Sequence, residues 1–126
     1  MKLLSFVSPH RASWGLCDGQ NIVDLGARLG ERCPDLLSAL RLADPGLLQR
    51  LAAGAPADYR IDEVVLLPVV PNPGKIFCVG LNYLAHRVEG QHKPEAPVPT
   101  IFLRFADSQV GHGRPMVCPR ESDQFD

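Results

Sequence analysis

Residues 73–90 read Pro-Gly-Lys-Ile-Phe-Cys-Val-Gly-Leu-Asn-Tyr-Leu-Ala-His-Arg-Val-Glu-Gly, and the hydrophobic pattern changes character within them. Positions 75–79 form an apolar run rich in β-formers, bounded by Pro73-Gly74 and Gly80. This predicts a strand buried on both faces. Asn82 then stands where a side-chain oxygen caps a helix, and Gly90 where a left-handed residue ends one, which predicts about two turns over 83–89. On that helix Tyr83, His86 and Glu89 follow at i, i+3 and i+6, along one edge, with His86 and Glu89 within touching distance. A carboxylate beside an imidazole orients the ring and stabilises its cation, so the pair has the makings of a general base.

Working outward, residues 2–7, 13–17 and 21–25 read as three short strands. They are joined by Ser8-Pro9-His10-Arg11 and by the hairpin signal Asp18-Gly19, giving a small antiparallel meander. Two short helices follow. One starts near Pro34 with Leu36, Leu37 and Leu40 on one side, and the other has Asp44 as cap and Pro45 at its first position, ending at Gly54. Residues 55–60 are turn-rich, and 64–70 form an apolar segment broken by Pro68, as suits a sheet edge. Pro71, Pro73 and Gly74 mark a boundary, dividing the chain into a small domain at 1–70 and a second at 71–126. Beyond Gly90, residues 91–99 contain Pro94, Pro97 and Pro99 and read as an extended loop suited to a lid. A strand at 100–105, a glycine-bearing turn at 108–113 and a short extended piece at 115–118 complete an α+β, mainly β fold class. The second part is too short to bury a core of its own, leaving Ile76, Cys78 and residues 101–103 partly uncovered.

Composition narrows the function. The 126 residues are 45% hydrophobic and 21% charged with a formal net charge of −1, as for an ordinary soluble chain with no membrane span. No basic run interleaves with aromatics, so nucleic acid is not a partner and a small molecule is. Cys17, Cys33, Cys78 and Cys118 form no C-x-x-C pair and read as free thiols of a reducing compartment. Met1 to Val7 is too short an apolar run for a secretory signal, which makes it a first strand and the cytoplasm the expected location. His10, His92 and His112 have no second ligand at metal spacing, and neither a G-x-S-x-G elbow nor a P-loop is present.

Gly80-Leu81-Asn82-Tyr83, His86, Glu89, Pro97-Val98-Pro99, Ile101-Phe102-Leu103-Arg104, Val117, Pro119 and Gln124-Phe125-Asp126 together resemble the opening of the catalytic domain of the fumarylacetoacetate hydrolase family. The resemblance implies that the second part is the start of that family's mixed β-sheet domain, incomplete, cut before an acidic E-x-E segment. The metal ligands are then expected just beyond Asp126, with none in this chain. It implies a divalent ion, Mg2+ or Mn2+, in the complete protein and none held tightly by these residues, and a small 2-oxo acid or 1,3-dicarbonyl substrate. The reaction is then C–C bond hydrolysis of the acylpyruvate type, decarboxylation or isomerisation, all of which pass through an enolate. His86 and Glu89 become the catalytic pair, Tyr83 and Arg104 contact substrate, the complete protein is a homodimer, and the 126 residues alone are inactive. The competing reading is a non-catalytic folding or oligomerisation module with a vestigial catalytic remnant.

Overall fold

The computed structural model describes residues 2–42, 44–90 and 98–121. The chain divides into two units, one of residues 1–72 with 109–126 and one of residues 73–108. The division drawn from sequence placed everything after residue 70 together, whereas the chain from Gln109 onward packs with the first unit. Two contacts tie it there: Gln109 Nε2 donates to the Val70 carbonyl at 3.2 Å, and Gly111 lies so close to the Leu66 carbonyl that a Cβ would sit 2.0 Å from its oxygen. Every ladder among the described residues is antiparallel. The molecule is a mixed α and β structure, and the parallel pairing that a mixed sheet requires is not found among those residues.

In the first unit, β1 (Lys2–Val7), β2 (Ala12–Cys17) and β3 (Asn21–Asp24) form the expected meander. Two-residue edge strands, β4 (Tyr59–Arg60) and β5 (Val65–Leu66), complete a sheet of order β4-β3-β2-β1-β5. β5 realises the edge strand read at 64–70 but stops before Pro68, which has no N–H for a ladder. The third strand also ends early. Leu25, assigned to it from sequence, instead opens helix α1 (Leu25–Leu29), because the Asp24 carboxylate accepts the Ala27 N–H at 2.7 Å and caps a helix there.

Helices α2 (Leu36–Leu42) and α3 (Pro45–Ala52) lie where Pro34 and Asp44-Pro45 put them. Asp35 caps α2 through the Ser38 N–H at 2.7 Å, and its carboxyl is held below the usual range mainly by the hydrogen bonds it accepts from Ser38. The buried stripe of α2 is Leu36 and Ala39, and Leu40, expected on the inner side, faces solvent. Two apolar clusters sandwich the sheet. Trp14, Leu16, Leu25, Leu36 and Leu48 pack beneath the helices, and Phe6 and Ile22 pack with Tyr59, Ile61 and Leu66 on the other face. Trp14 Nε1 donates to the Cys33 carbonyl at 2.8 Å, so its indole is buried without an unmet donor. Gly26 is required by the same packing, since a Cβ there would meet the Ser13 hydroxyl at 2.5 Å and the indole at 3.0 Å.

The second unit is an antiparallel pair, β6 (Ile76–Gly80) and β7 (Thr100–Arg104), with helix α4 (Leu84–Glu89) between them in sequence. The strand expected to be buried on both faces is not. Phe77, Val79, Ile101, Leu103 and Phe105 are all more than half exposed, because a two-stranded ladder offers no second layer to cover them. Residues 91–97, which include most of the proline-rich loop, and 122–126, which include the Gln-Phe-Asp triplet, lie outside the described residues.

Two predictions follow from these packings. Asp18 Oδ1 accepts the Asn21 N–H at 2.8 Å and the Gln20 N–H at 3.0 Å, and these bonds, Asn21 first, lower its carboxyl from 3.8 to about 2. A depressed folded value stabilises the turn above the unfolded value and loses that contribution as pH falls through the folded one. Urea midpoints should therefore decline between about pH 4 and 2 by an increment that Asp18→Asn abolishes; an identical slope in the variant would remove Asp18 from the acid response. Open apolar strands are templates for pairing, so the 126-residue chain should self-associate. A stable monomer by light scattering that binds no hydrophobic dye would contradict this.

Candidate functional site

The candidate residues sit at one end of the β6–β7 ladder. β6 ends at Gly80, whose open Cα face is covered by the Phe102 ring, a Cβ there coming within 3.2 Å of it. The chain then reverses through Leu81, which adopts φ +54°. A left-handed residue with a side chain costs about 1–2 kcal/mol. This turn delays the helix: the first helical residue is Leu84, its cap is Tyr83, and no side chain caps it, so Asn82 is not the cap that its residue type suggested. Gly90 ends α4 without a left-handed conformation, at φ −79°, its N–H reaching the carbonyls of His86 and Val88.

His86 and Glu89 are brought together. Nδ1 of His86 lies 3.8 Å from Oε2 of Glu89, with side chains 62% and 84% exposed. That is ion-pair range and slightly long for a hydrogen bond, and the exposure makes it worth little for stability. Tyr83 is on the same side of the sequence but exposed at the start of the helix. Arg104 is not brought to the pair by the ladder. In register Gly80 faces Thr100 and Ile76 faces Arg104, so Arg104 stands four residues, roughly 14 Å, along the strand from the turn. Its guanidinium stacks over Phe102 at 5.4 Å from the ring centroid.

Beside the turn lies a depression of about 180 Å3, walled by Gly80, Leu81, Asn82, Val98, Pro99 and Thr100, with Arg87 on its helical side. Arg87 did not figure in the sequence reading. No pattern in the sequence singles it out: Leu84 and Val88 of α4 are largely exposed, while Arg87 is the one residue of the helix that is partly buried. The strain at Leu81 had no sequence signal, since leucine ordinarily avoids that conformation.

A divalent ion does not fit the described residues, among which no three His, Cys, Asp or Glu side chains converge. Cys17 and Cys33 are buried, Cys118 is exposed, and all four thiols are free. No helix among the described residues is long and apolar enough to cross a membrane.

The family described as fumarylacetoacetate (FAA) hydrolase C-terminal matches residues 75–126, the stretch that begins just before β6. The whole chain aligns with the mitochondrial oxaloacetate tautomerase fahd2 of Xenopus laevis at 33% identity, over 41% of that protein. It aligns at 32% with the human mitochondrial oxaloacetate tautomerase FAHD2A and at 34% with its Rattus norvegicus counterpart, each over 42% of the relative's length. The chain thus spans about two fifths of these relatives, and through residues 75–126 it belongs to the fumarylacetoacetate hydrolase family.

Proposed function

We propose that this chain carries the proton-transfer half of a site acting on small 2-oxo acids, with keto–enol tautomerisation as the reaction. The observation that carries the reading is the approach of His86 Nδ1 to Glu89 Oε2 at 3.8 Å, on a helix that directly follows the first strand of the family match. Relatives named as oxaloacetate tautomerases supply the reaction class. Hydrolysis of acylpyruvates and decarboxylation remain within the same enolate chemistry.

In the proposed step Nε2 of His86 takes a proton from the carbon next to the substrate carbonyl, and the C–H pair becomes the C=C bond of the enol. The carbonyl π electrons move onto oxygen, which takes a proton from solvent water, and the imidazolium returns its proton to the hydroxide so formed, leaving His86 neutral and the net change an isomerisation. Glu89, facing Nδ1, favours the imidazolium that forms and holds the ring so that Nε2 is the free nitrogen. Mg2+ or Mn2+, implied by the family resemblance, would require donors from outside the described residues, among which no three His, Cys, Asp or Glu side chains converge. The whole protein acts as a homodimer in this proposal. The cytoplasm remains the proposed compartment, although the relatives' names are mitochondrial.

In a longer protein containing this segment, His86→Ala should lower kcat for oxaloacetate tautomerisation by about 10² to 10⁴, and Glu89→Gln should lower it as well. Because the pair is exposed, the same changes should shift the urea-unfolding free energy by no more than about 0.5 kcal/mol. Near wild-type turnover in His86→Ala would take the pair out of the mechanism.

A further inference from the structure

We infer that the first unit holds a binding site for a monocarboxylic acid with a hydrocarbon body, in the groove between β5 and the turn at residues 111–114. Arg114, with His112 beside it, takes the carboxylate, and Ile61, Val64 and Leu66 take the hydrocarbon. Every residue involved belongs to the first unit, so none of the groups proposed for proton transfer takes part.

One side of the groove is the edge of the sheet. Ile61, Val64 and Leu66 pack with Phe6 and Ile22 yet keep part of their own surface open, which makes an apolar wall with a packed backing. The other side is the turn, and two glycines fix its position. Gly111 approaches the Leu66 carbonyl more closely than any side chain allows. Gly113 adopts φ +75°, a conformation that glycine reaches without steric cost, and the Arg114 N–H closes the turn onto the Gly111 carbonyl at 3.1 Å. His112 and Arg114, on either side of Gly113, thereby line the groove opposite the apolar wall.

The charges decide the ligand. No carboxylate lines the groove. Asp62 and Glu63, which lie between Ile61 and Val64 in sequence, are both engaged by Arg60: Asp62 Oδ1 accepts from its Nε at 3.1 Å and Glu63 Oε2 from its backbone N–H at 2.7 Å. The Arg114 guanidinium forms no ion pair among the described residues. Its parallel N–H donors match the two oxygens of a carboxylate, and His112 adds an N–H even as a neutral imidazole. The volume of about 420 Å3 lies within the range of about 300–1,000 Å3 typical of small-molecule pockets. A two-carbon acid would leave Ile61, Val64 and Leu66 in water, whereas a longer hydrocarbon chain removes their open apolar surface from it.

The test is equilibrium dialysis of the 126-residue chain with radiolabelled octanoate, which reads binding whatever the association state. Acetate, with the charge and no chain, and octylamine, with the chain and the opposite charge, are the comparisons. Octanoate should bind saturably, and acetate and octylamine each at least about tenfold more weakly. Arg114→Ala should weaken octanoate about tenfold, and His112→Glu, which sets a like charge at the rim, should weaken it at least as much. Both residues are exposed, so circular dichroism should be unchanged in either variant. Arg120→Ala, at an exposed arginine outside the groove, should bind as wild type. Octanoate bound as tightly by Arg114→Ala as by wild type, an equal loss in Arg120→Ala, or no saturable binding overturns the site. Acetate as tight as octanoate overturns the hydrocarbon wall, and octylamine as tight as octanoate overturns the carboxylate contact.

Discussion

The first unit depends on one buried charge. Asp24 is 2% exposed, at the junction of β3 and α1, and its carboxylate is engaged from several sides: by the Ser13 hydroxyl at 2.5 Å, by the Ala27 N–H at 2.7 Å, and by Arg11 at 3.6 Å. Its own backbone N–H donates to Asp58 at 2.7 Å, and Asp58 pairs with Arg28, which also donates to the Asp24 carbonyl. A buried carboxylate is tolerable only when its lone pairs are met, and removing one partner of such an arrangement costs about 3–5 kcal/mol. The strand must therefore end and the helix begin at this residue. That placement brings Gly26 against Trp14 and aligns α1 over the sheet.

The second unit has no comparable centre. Its ladder is held by backbone pairing and by a short sequence of side chains on one face, Gly80 under Phe102 and Phe102 under Arg104. Its apolar residues remain exposed. The candidate site inherits this openness: the imidazole and carboxylate are near one another but are not withdrawn from water, where electrostatic preorganisation is strongest.

The meander, its Asp18-Gly19 hairpin, the Pro45 helix and the strand–turn–helix at 76–89 were legible because each rests on local chemistry: alternation, a turn dipeptide, a cap with proline behind it, a glycine after an apolar run. The pairing of His86 with Glu89 was legible for the same reason, as helical spacing alone brings those positions together. The reading went astray where packing or an unusual backbone conformation decided the outcome. Leu25 opens α1 because the Asp24 carboxylate, which also accepts from Ser13 on β2, caps a helix there; Leu40 is exposed while Leu36 and Ala39 are buried; and Asn82 does not cap α4, which starts after the left-handed Leu81.

By itself, then, the sequence determined the order of the elements, the family to which residues 75–126 belong and the identity of the imidazole–carboxylate pair, since these follow from residue type and short-range spacing. Only the tertiary structure decided that residues from Gln109 onward join the first unit, that Arg104 stands a ladder's length from the helix, and that Arg87 turns toward a depression while Leu84 and Val88 face solvent. Those outcomes are set by strand register and by which surfaces find a partner, and neither is a property of any one stretch of chain.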